Sequence, residues 1–177
     1  MPFVNPEQVI KSIGVELGMQ VADFGSGPGF YSILLAKAVG PNGRVYALDV
    51  QKSMLELVRS RARQARLLNI VTMWSDLETA RGSGLAENTV EVVIVSNILF
   101  QAENKKGMLA ETFRILKPGG KIAVIEWDSS AGGTGPTSDK IVKRDVAETL
   151  LADTGFTREK EFYAGDNHYG LLYKKPE

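Results

Sequence analysis

The stretch Val21-Ala22-Asp23-Phe24-Gly25-Ser26-Gly27-Pro28-Gly29-Phe30 decides how this 177-residue chain is read. It begins as a strand, turns through Gly25, Gly27 and Gly29, and opens into the apolar pattern Phe30-Tyr31-Ser32-Ile33-Leu34-Leu35-Ala36. A glycine-rich turn between a strand and a helix lets backbone approach a ligand closely, with the helix N-terminus facing it. A dinucleotide-binding turn carries Gly-x-Gly-x-x-Gly, which suits a pyrophosphate. Here the order is Asp-x-Gly-x-Gly-x-Gly, with an acid two residues before the first glycine. That acid would repel a pyrophosphate but can accept hydrogen bonds from an ammonium group. The turn therefore points away from NAD and toward a cationic ligand with an amino-acid tail.

The flanking sequence repeats the same alternation. Asn5-Pro6-Glu7 reads as a capped helix start, with Val9, Ile10 and Ile13 on one face and Gly14 or Gly18 ending it; such a helix pads a sheet or covers a site. Strands are expected over 19–24, 44–50, 69–76, 90–97 and 121–127, and helices over 28–39, 51–68 and 103–116. Val90 to Val95 is continuously apolar but for Glu91, as in a strand buried on both faces of a parallel sheet. Lys117-Pro118-Gly119-Gly120 is expected to stop the fourth helix, and Ser138-Asp139 to start a last one running to Thr154-Gly155. Residues 128–138 read as a mobile loop. Two final strands, 156–163 and 168–174, flank the turn Ala164-Gly165-Asp166-Asn167. The pattern is an α/β fold: a Rossmann-like doubly wound seven-stranded sheet, mostly parallel, with one antiparallel strand near the C-terminus.

Length and composition bound the function. The chain is expected to be a single domain, 1–177, with no separate substrate domain. Twenty-one basic and twenty-one acidic side chains cancel, so no global field attracts nucleic acid or an anionic membrane. Arg59, Arg61, Arg63 and Arg66 share a face of the third helix, but without aromatic interleaving they read as a solvated surface. No cysteine and a single histidine exclude disulfides, thiol nucleophiles and a multi-histidine metal site, so no metal is expected. No apolar run approaches a membrane span, and the N-terminus lacks the pattern of a signal peptide. A cytoplasmic protein, monomeric or homodimeric, is the expectation.

In such sheets the ligand lies beyond the carboxyl ends of the strands, where strand order reverses. That edge gathers Asp23 to Gly29, Asp49-Val50, Asp76-Leu77, Asn97 to Phe100 and Glu126 to Asp128. The hairpin turn falls on the same edge and brings Asn167 and His168 with it. Asp49, twenty residues past Gly29, stands where a carboxylate accepts ribose hydroxyls, or it simply caps the next helix.

Together these residues resemble the class I S-adenosylmethionine-dependent methyltransferases over nearly the whole chain. The resemblance rests on the glycine loop, Tyr46-Ala47-Leu48-Asp49-Val50, Ser75-Asp76-Leu77 and Phe113-Arg114-Ile115-Leu116-Lys117-Pro118-Gly119-Gly120. Ser96-Asn97-Ile98-Leu99-Phe100-Gln101 and the overall spacing are similar to the ubiquinone/menaquinone-biosynthesis group, whose members methylate many acceptors. The resemblance implies S-adenosylmethionine as cofactor and S-adenosylhomocysteine as product. It also implies that Asp23, Gly25, Ser26, Gly27, Pro28 and Gly29 hold the methionine end, and that Asp49 holds the ribose. Val50 and Leu77 would sandwich the adenine, Asp76 would accept from its amine, and Asn97 would lie nearest the sulfonium. Glu91 stands where many relatives have Asp. The absence of cysteine argues against arsenic methylation.

The expected reaction is methyl transfer to a small-molecule acceptor, in which the protein mainly aligns the reactants and excludes water. A neutral Asn97 suits a sulfur that loses its positive charge. His168 is the one candidate base of the histidine type, or else ordinary surface polarity. Phe100, Trp127 and Tyr169 are candidates for an aromatic acceptor pocket, and Glu126 and Asp128 offer carboxylates at the rim. Two other readings stand beside this one: a nicotinamide-dependent oxidoreductase, opposed by Asp23, and a cofactor-binding regulatory or scaffold subunit.

Overall fold

The computed structural model describes residues 5–129 and 135–177. The middle of the expected 128–138 loop, and residues 1–4 of the N-terminus, lie outside that range. Seven strands form one sheet in the order β3-β2-β1-β4-β5-β7-β6. They are β1 (Gln20–Phe24), β2 (Arg44–Asp49), β3 (Ile70–Trp74), β4 (Val90–Ser96), β5 (Leu116–Trp127), β6 (Thr157–Tyr163) and β7 (His168–Lys174). All neighbours from β3 through β5 pair in parallel, and β7 runs antiparallel to both β5 and β6. This is the expected mostly parallel sheet with one reversed strand.

Side-chain alternation divides the core. Ala22, Phe24, Val93, Val95, Ile122 and Val124 face one layer with α4 (Lys105–Ile115) and α5 (Arg144–Thr154). Val21, Val45, Val92, Ile94, Ala123 and Ile125 face the other, with α1 (Pro6–Ile13) and α2 (Phe30–Val39). α3 (Lys52–Gln64) packs beside α2 and over β2 and β3. Val93, Ile94 and Val95 are fully buried, as a strand covered on both faces requires. α1 starts as expected: Asn5 Oδ1 accepts from the amides of Glu7 and Gln8, and Gly14, at φ 76°, ends it.

Two boundaries differ from the expected ones. The helix α4 stops at Ile115, and Lys117-Pro118-Gly119-Gly120 belongs to β5 rather than to a separate turn. The residue before a proline is pushed to extended backbone, so strand geometry begins at once. The Lys-Pro-Gly-Gly segment then bulges out, because pairing with β4 jumps from Val90↔Leu116 to Val92↔Lys121. The last helix starts at Arg144, not at Ser138-Asp139. The Tyr169 hydroxyl donates to Val142 O at 2.7 Å, and the Val142 side chain is buried, which holds that segment extended.

Candidate functional site

Strand order reverses between β2-β1 and β4, so a cleft opens where the loops leaving β1 and β4 diverge. A cavity of about 1100 Å³ lies there. Its walls include Asp23, Gly25, Ser26, Gly27 and Pro28 after β1, and Asp49 and Val50 after β2. Asp76 and Leu77 follow β3, Asn97 follows β4, Trp127 ends β5 and His168 begins β7. The fold thus brings nearly all of the sequence-derived residues to one surface. Gly29 caps α2 at φ 89° behind this wall.

The glycine loop is shaped by close approach. Gly25 is at φ 67°, and a side-chain carbon on it would lie 2.5 Å from Ile98 Cγ2. Gly27, at φ 51°, meets nothing, so its exposed face is open to a ligand. Asp49 is tied into this loop: Oδ2 accepts from Gly27 N at 2.9 Å and Oδ1 from Gln51 N at 2.8 Å. Gln51 precedes the first turn of α3 and that helix has no side-chain cap, so Asp49 braces the glycine loop against the chain entering α3 rather than capping the helix, and it lines the cavity. Asp76 is exposed, and its Oδ1 accepts from Glu78 N at 3.2 Å. Val50 is 57% exposed and Leu77 6%, so one apolar wall stands open to solvent and the other is packed into the core.

Asp23 is buried and accepts from Ser32 Oγ at 2.6 Å. Burial pushes its carboxyl up to about 6, against the pull of the Ser32 hydrogen bonds and with a push from Asp49. Such a carboxylate gains from a cationic partner, which matches the expected ammonium. The region over 79–85 is tied to α4 instead. Buried Glu111 accepts from Arg81 N at 3.2 Å and Ser83 N at 3.1 Å, and Arg114 reaches it at 2.7 Å.

Among the described residues, three buried side-chain atoms without a hydrogen-bond partner belong to residues lining this cavity: Ser26 Oγ, Asn97 Oδ1 and His168 Nε2. Buried polar atoms are normally satisfied, so three orphans around one cavity mark a place built for a ligand. Asn97 is held at φ 55°, with its amide donating to Ile125 O at 2.8 Å. The His168 ring lies against that of Trp127, centroids 4.2 Å apart, and burial lowers its pKa below the usual histidine value. The imidazole is therefore neutral near pH 7.

Four expected placements are corrected. Tyr169 does not line the cavity: it is 2% exposed and points into the core on the opposite side of β7 from His168. Phe100 packs against the same core and is likewise absent from the cavity wall. Glu126 is not at the rim; it is fully buried beneath the turn that follows β4. Asp128 faces Arg144 at 3.6 Å instead of the cavity. Tyr31, Gln101 and Pro6, which the sequence did not single out as site residues, also line the cavity, beside Ile98 from the expected 97–100 segment. Tyr31 was legible only as part of an apolar helix pattern, because its hydroxyl gives no periodic signal.

A cavity of this kind, at a strand-order reversal with a glycine loop and an acid on the second strand, defines an α/β protein that holds a nucleoside-bearing ligand. The family model for a methyltransferase domain matches residues 16–164. The chain belongs to that family, in the class I S-adenosylmethionine-dependent type, as the motifs anticipated. It is 31% identical over 120 residues to a demethylmenaquinone methyltransferase from Geobacillus sp. (strain WCH70), covering 68% of this chain and 50% of that one. It is 32% identical over 118 residues to a ubiquinone/menaquinone biosynthesis C-methyltransferase from Haemophilus ducreyi, covering 67% and 45%. The chain thus spans about half the length of these relatives. Among solved structures, a SAM-dependent methyltransferase from Aquifex aeolicus superposes with a TM-score of 0.88 at 28% identity, covering 97% of this chain and 90% of that one. The cyclase SpnF superposes at 0.83 with 16% identity, covering 97% and 79%, and shares the fold alone.

Proposed function

We propose that this chain transfers the methyl group of S-adenosylmethionine to a small-molecule acceptor, with a quinol-type ring as the first class to test. The observation that carries the reading is one cavity shared by the glycine loop, the three strand-end acids and three buried polar atoms that have no partner among the described residues. The quinol class is motivated by the relatives, which act on demethylmenaquinone or in ubiquinone and menaquinone biosynthesis. Cytoplasmic placement and a monomeric or homodimeric state belong to the same proposal.

In this reading Asp23 receives the ammonium, and the backbone of Gly25 to Gly29 with Ser26 receives the rest of the methionine end. Asp49 accepts the ribose hydroxyls, Val50 and Leu77 enclose the adenine, and Asp76 accepts its amine. Bound S-adenosylmethionine supplies an electrophilic methyl on a cationic sulfur. Asn97 offers a neutral oxygen there, so it orients without stabilising a charge that the reaction removes. Trp127 and His168 form the acceptor wall, and the free Nε2 of His168 takes the proton that a hydroxyl acceptor loses.

Calorimetry with S-adenosylhomocysteine is the primary test, with micromolar binding expected. Labelled S-adenosylmethionine with a hydroquinone panel then reads transfer. Binding of NAD(H) in place of S-adenosylhomocysteine would overturn the proposal.

A further inference from the structure

Glu126 is the penultimate residue of β5, fully buried, yet no cation among the described residues holds it. Its Oε1 accepts from Leu99 N at 2.7 Å and its Oε2 from Trp127 N at 3.4 Å, and the amides of Ile98 and Phe100 also stabilise the carboxylate. A buried charge is costly unless nearby dipoles compensate it. These amides do so because the chain turns sharply there. Asn97 sits in left-handed backbone, and Ala102 N returns to Ile98 O at 3.1 Å, so the free amides converge on Glu126 like the open end of a helix.

What the carboxylate fastens is the junction of the site. On one side the turn carries Asn97, whose Oδ1 is an orphan at the cavity, and Ile98, packed against Gly25. On the other side the next residue is Trp127, which backs His168. We infer that Glu126 is a positioning residue: its carboxylate locks the Asn97–Gln101 turn to β5, holding Ile98 and Asn97 against the methyl-donor loop and Trp127 in the facing wall. For the identity of the ligand this rests on the reading above; for the geometry it does not.

A consequence follows for pH. Burial pushes the Glu126 carboxyl up to about 7, with the amides of Leu99, Trp127, Phe100 and Ile98 pulling against it. The ionised form accepts from Leu99 N and Trp127 N; a proton turns one oxygen into a donor and loosens the lock. The titratable groups around it are few. Tyr169, opposite on β7, keeps its hydroxyl on Val142 O. Asp128, Arg144 and Asp145 surround that tyrosine, and His168 stacks on Trp127.

The test uses the full chain carrying Trp74→Phe, so that Trp127 is the only fluorophore of its kind. Its emission between pH 5 and 9 is expected to show a step near 7 from Glu126 and a lower step from His168. Glu126→Gln should remove the upper step alone, and His168→Gln the lower one alone. From pH 6.5 to 8 the S-adenosylhomocysteine affinity of the parent should tighten about threefold more than that of Glu126→Gln. Asp23 titrates near 6 in both proteins, so the difference between them isolates Glu126. An upper step that survives Glu126→Gln, or identical pH dependence of affinity in both proteins, would overturn the inference. Absence of any S-adenosylhomocysteine binding in the parent would instead sink the cofactor reading, and the emission step would still decide the role of Glu126.

Discussion

Ile98 occupies the space that a side chain on Gly25 would need: a carbon built there would lie 2.5 Å from Ile98 Cγ2. Two loops far apart in sequence, one leaving β1 and one leaving β4, thus meet through an absent side chain. The contrast with Gly27, which has open space around it, yields a paired prediction. Gly25→Ala combines left-handed strain with a clash and should cost about 2–4 kcal/mol of stability in urea unfolding. Gly27→Ala should cost only about 1–2 kcal/mol while sharply weakening S-adenosylhomocysteine, because the new methyl projects to the ligand side. Equal stability losses at the two positions would contradict this geometry.

Asp23 should behave as a functional residue held at the expense of stability. Its folded carboxyl lies near 6, above the ordinary aspartate value of 3.8, so the folded state holds its proton more tightly than the unfolded one. Stability therefore falls as pH rises from about 4 to about 6 and is lower on the alkaline side. Asp23→Asn should match the parent near pH 4 and exceed it at pH 7 by up to about 3 kcal/mol. S-adenosylhomocysteine binding should weaken at least about tenfold. A variant that is less stable at pH 7 and binds normally would refute both halves.

His168 provides the opposite sign. Burial lowers its pKa in the fold, so the unfolded chain takes up the proton first as pH falls through 6.5. Acid should therefore destabilise the parent more steeply than His168→Gln in that range. With an identified hydroxyl acceptor, the variant should lose about 100-fold or more in turnover and keep its S-adenosylhomocysteine affinity. Unchanged turnover would remove His168 as a base.

Glu111 should matter for structure and, at one remove, for the adenine wall. Burial alone would raise its pKa, but hydrogen bonds from Arg114 and Ser83 dominate and hold it down to about 2. Its contribution is present above the ordinary carboxylate range and lost as pH falls toward 2. Glu111→Ala strands Arg114 and frees the amides of Arg81 and Ser83, so about 3–5 kcal/mol should be lost in denaturant unfolding. Gly82, between them, packs so tightly on Asp76 that a side-chain carbon would lie 1.7 Å from its carbonyl oxygen. Nucleoside binding should weaken in the same variant. A loss under about 1 kcal/mol would show the network to be decorative.

Much of this was legible in the order of residues. Alternating apolar runs and glycine punctuation set five strands, four of them followed by a helix, and a terminal hairpin, because burial on both faces demands continuous apolar strands and tight turns demand glycine. The positions of Asp23, Asp49, Asp76 and Asn97 followed, since each lies at or just past the carboxyl end of a strand and parallel strands end on the same edge.

Tertiary structure alone decided which side chains at that edge face the cavity. Adjacent residues of a strand point to opposite faces, so His168 reaches the site while Tyr169 is buried in the core. By the same pleat Trp127 lines the wall and Glu126 is turned inward, to amides contributed by a turn 27 residues away. Local sequence encodes where a strand ends; only packing against β4, β7 and the intervening turn determines which of its last two residues meets the ligand.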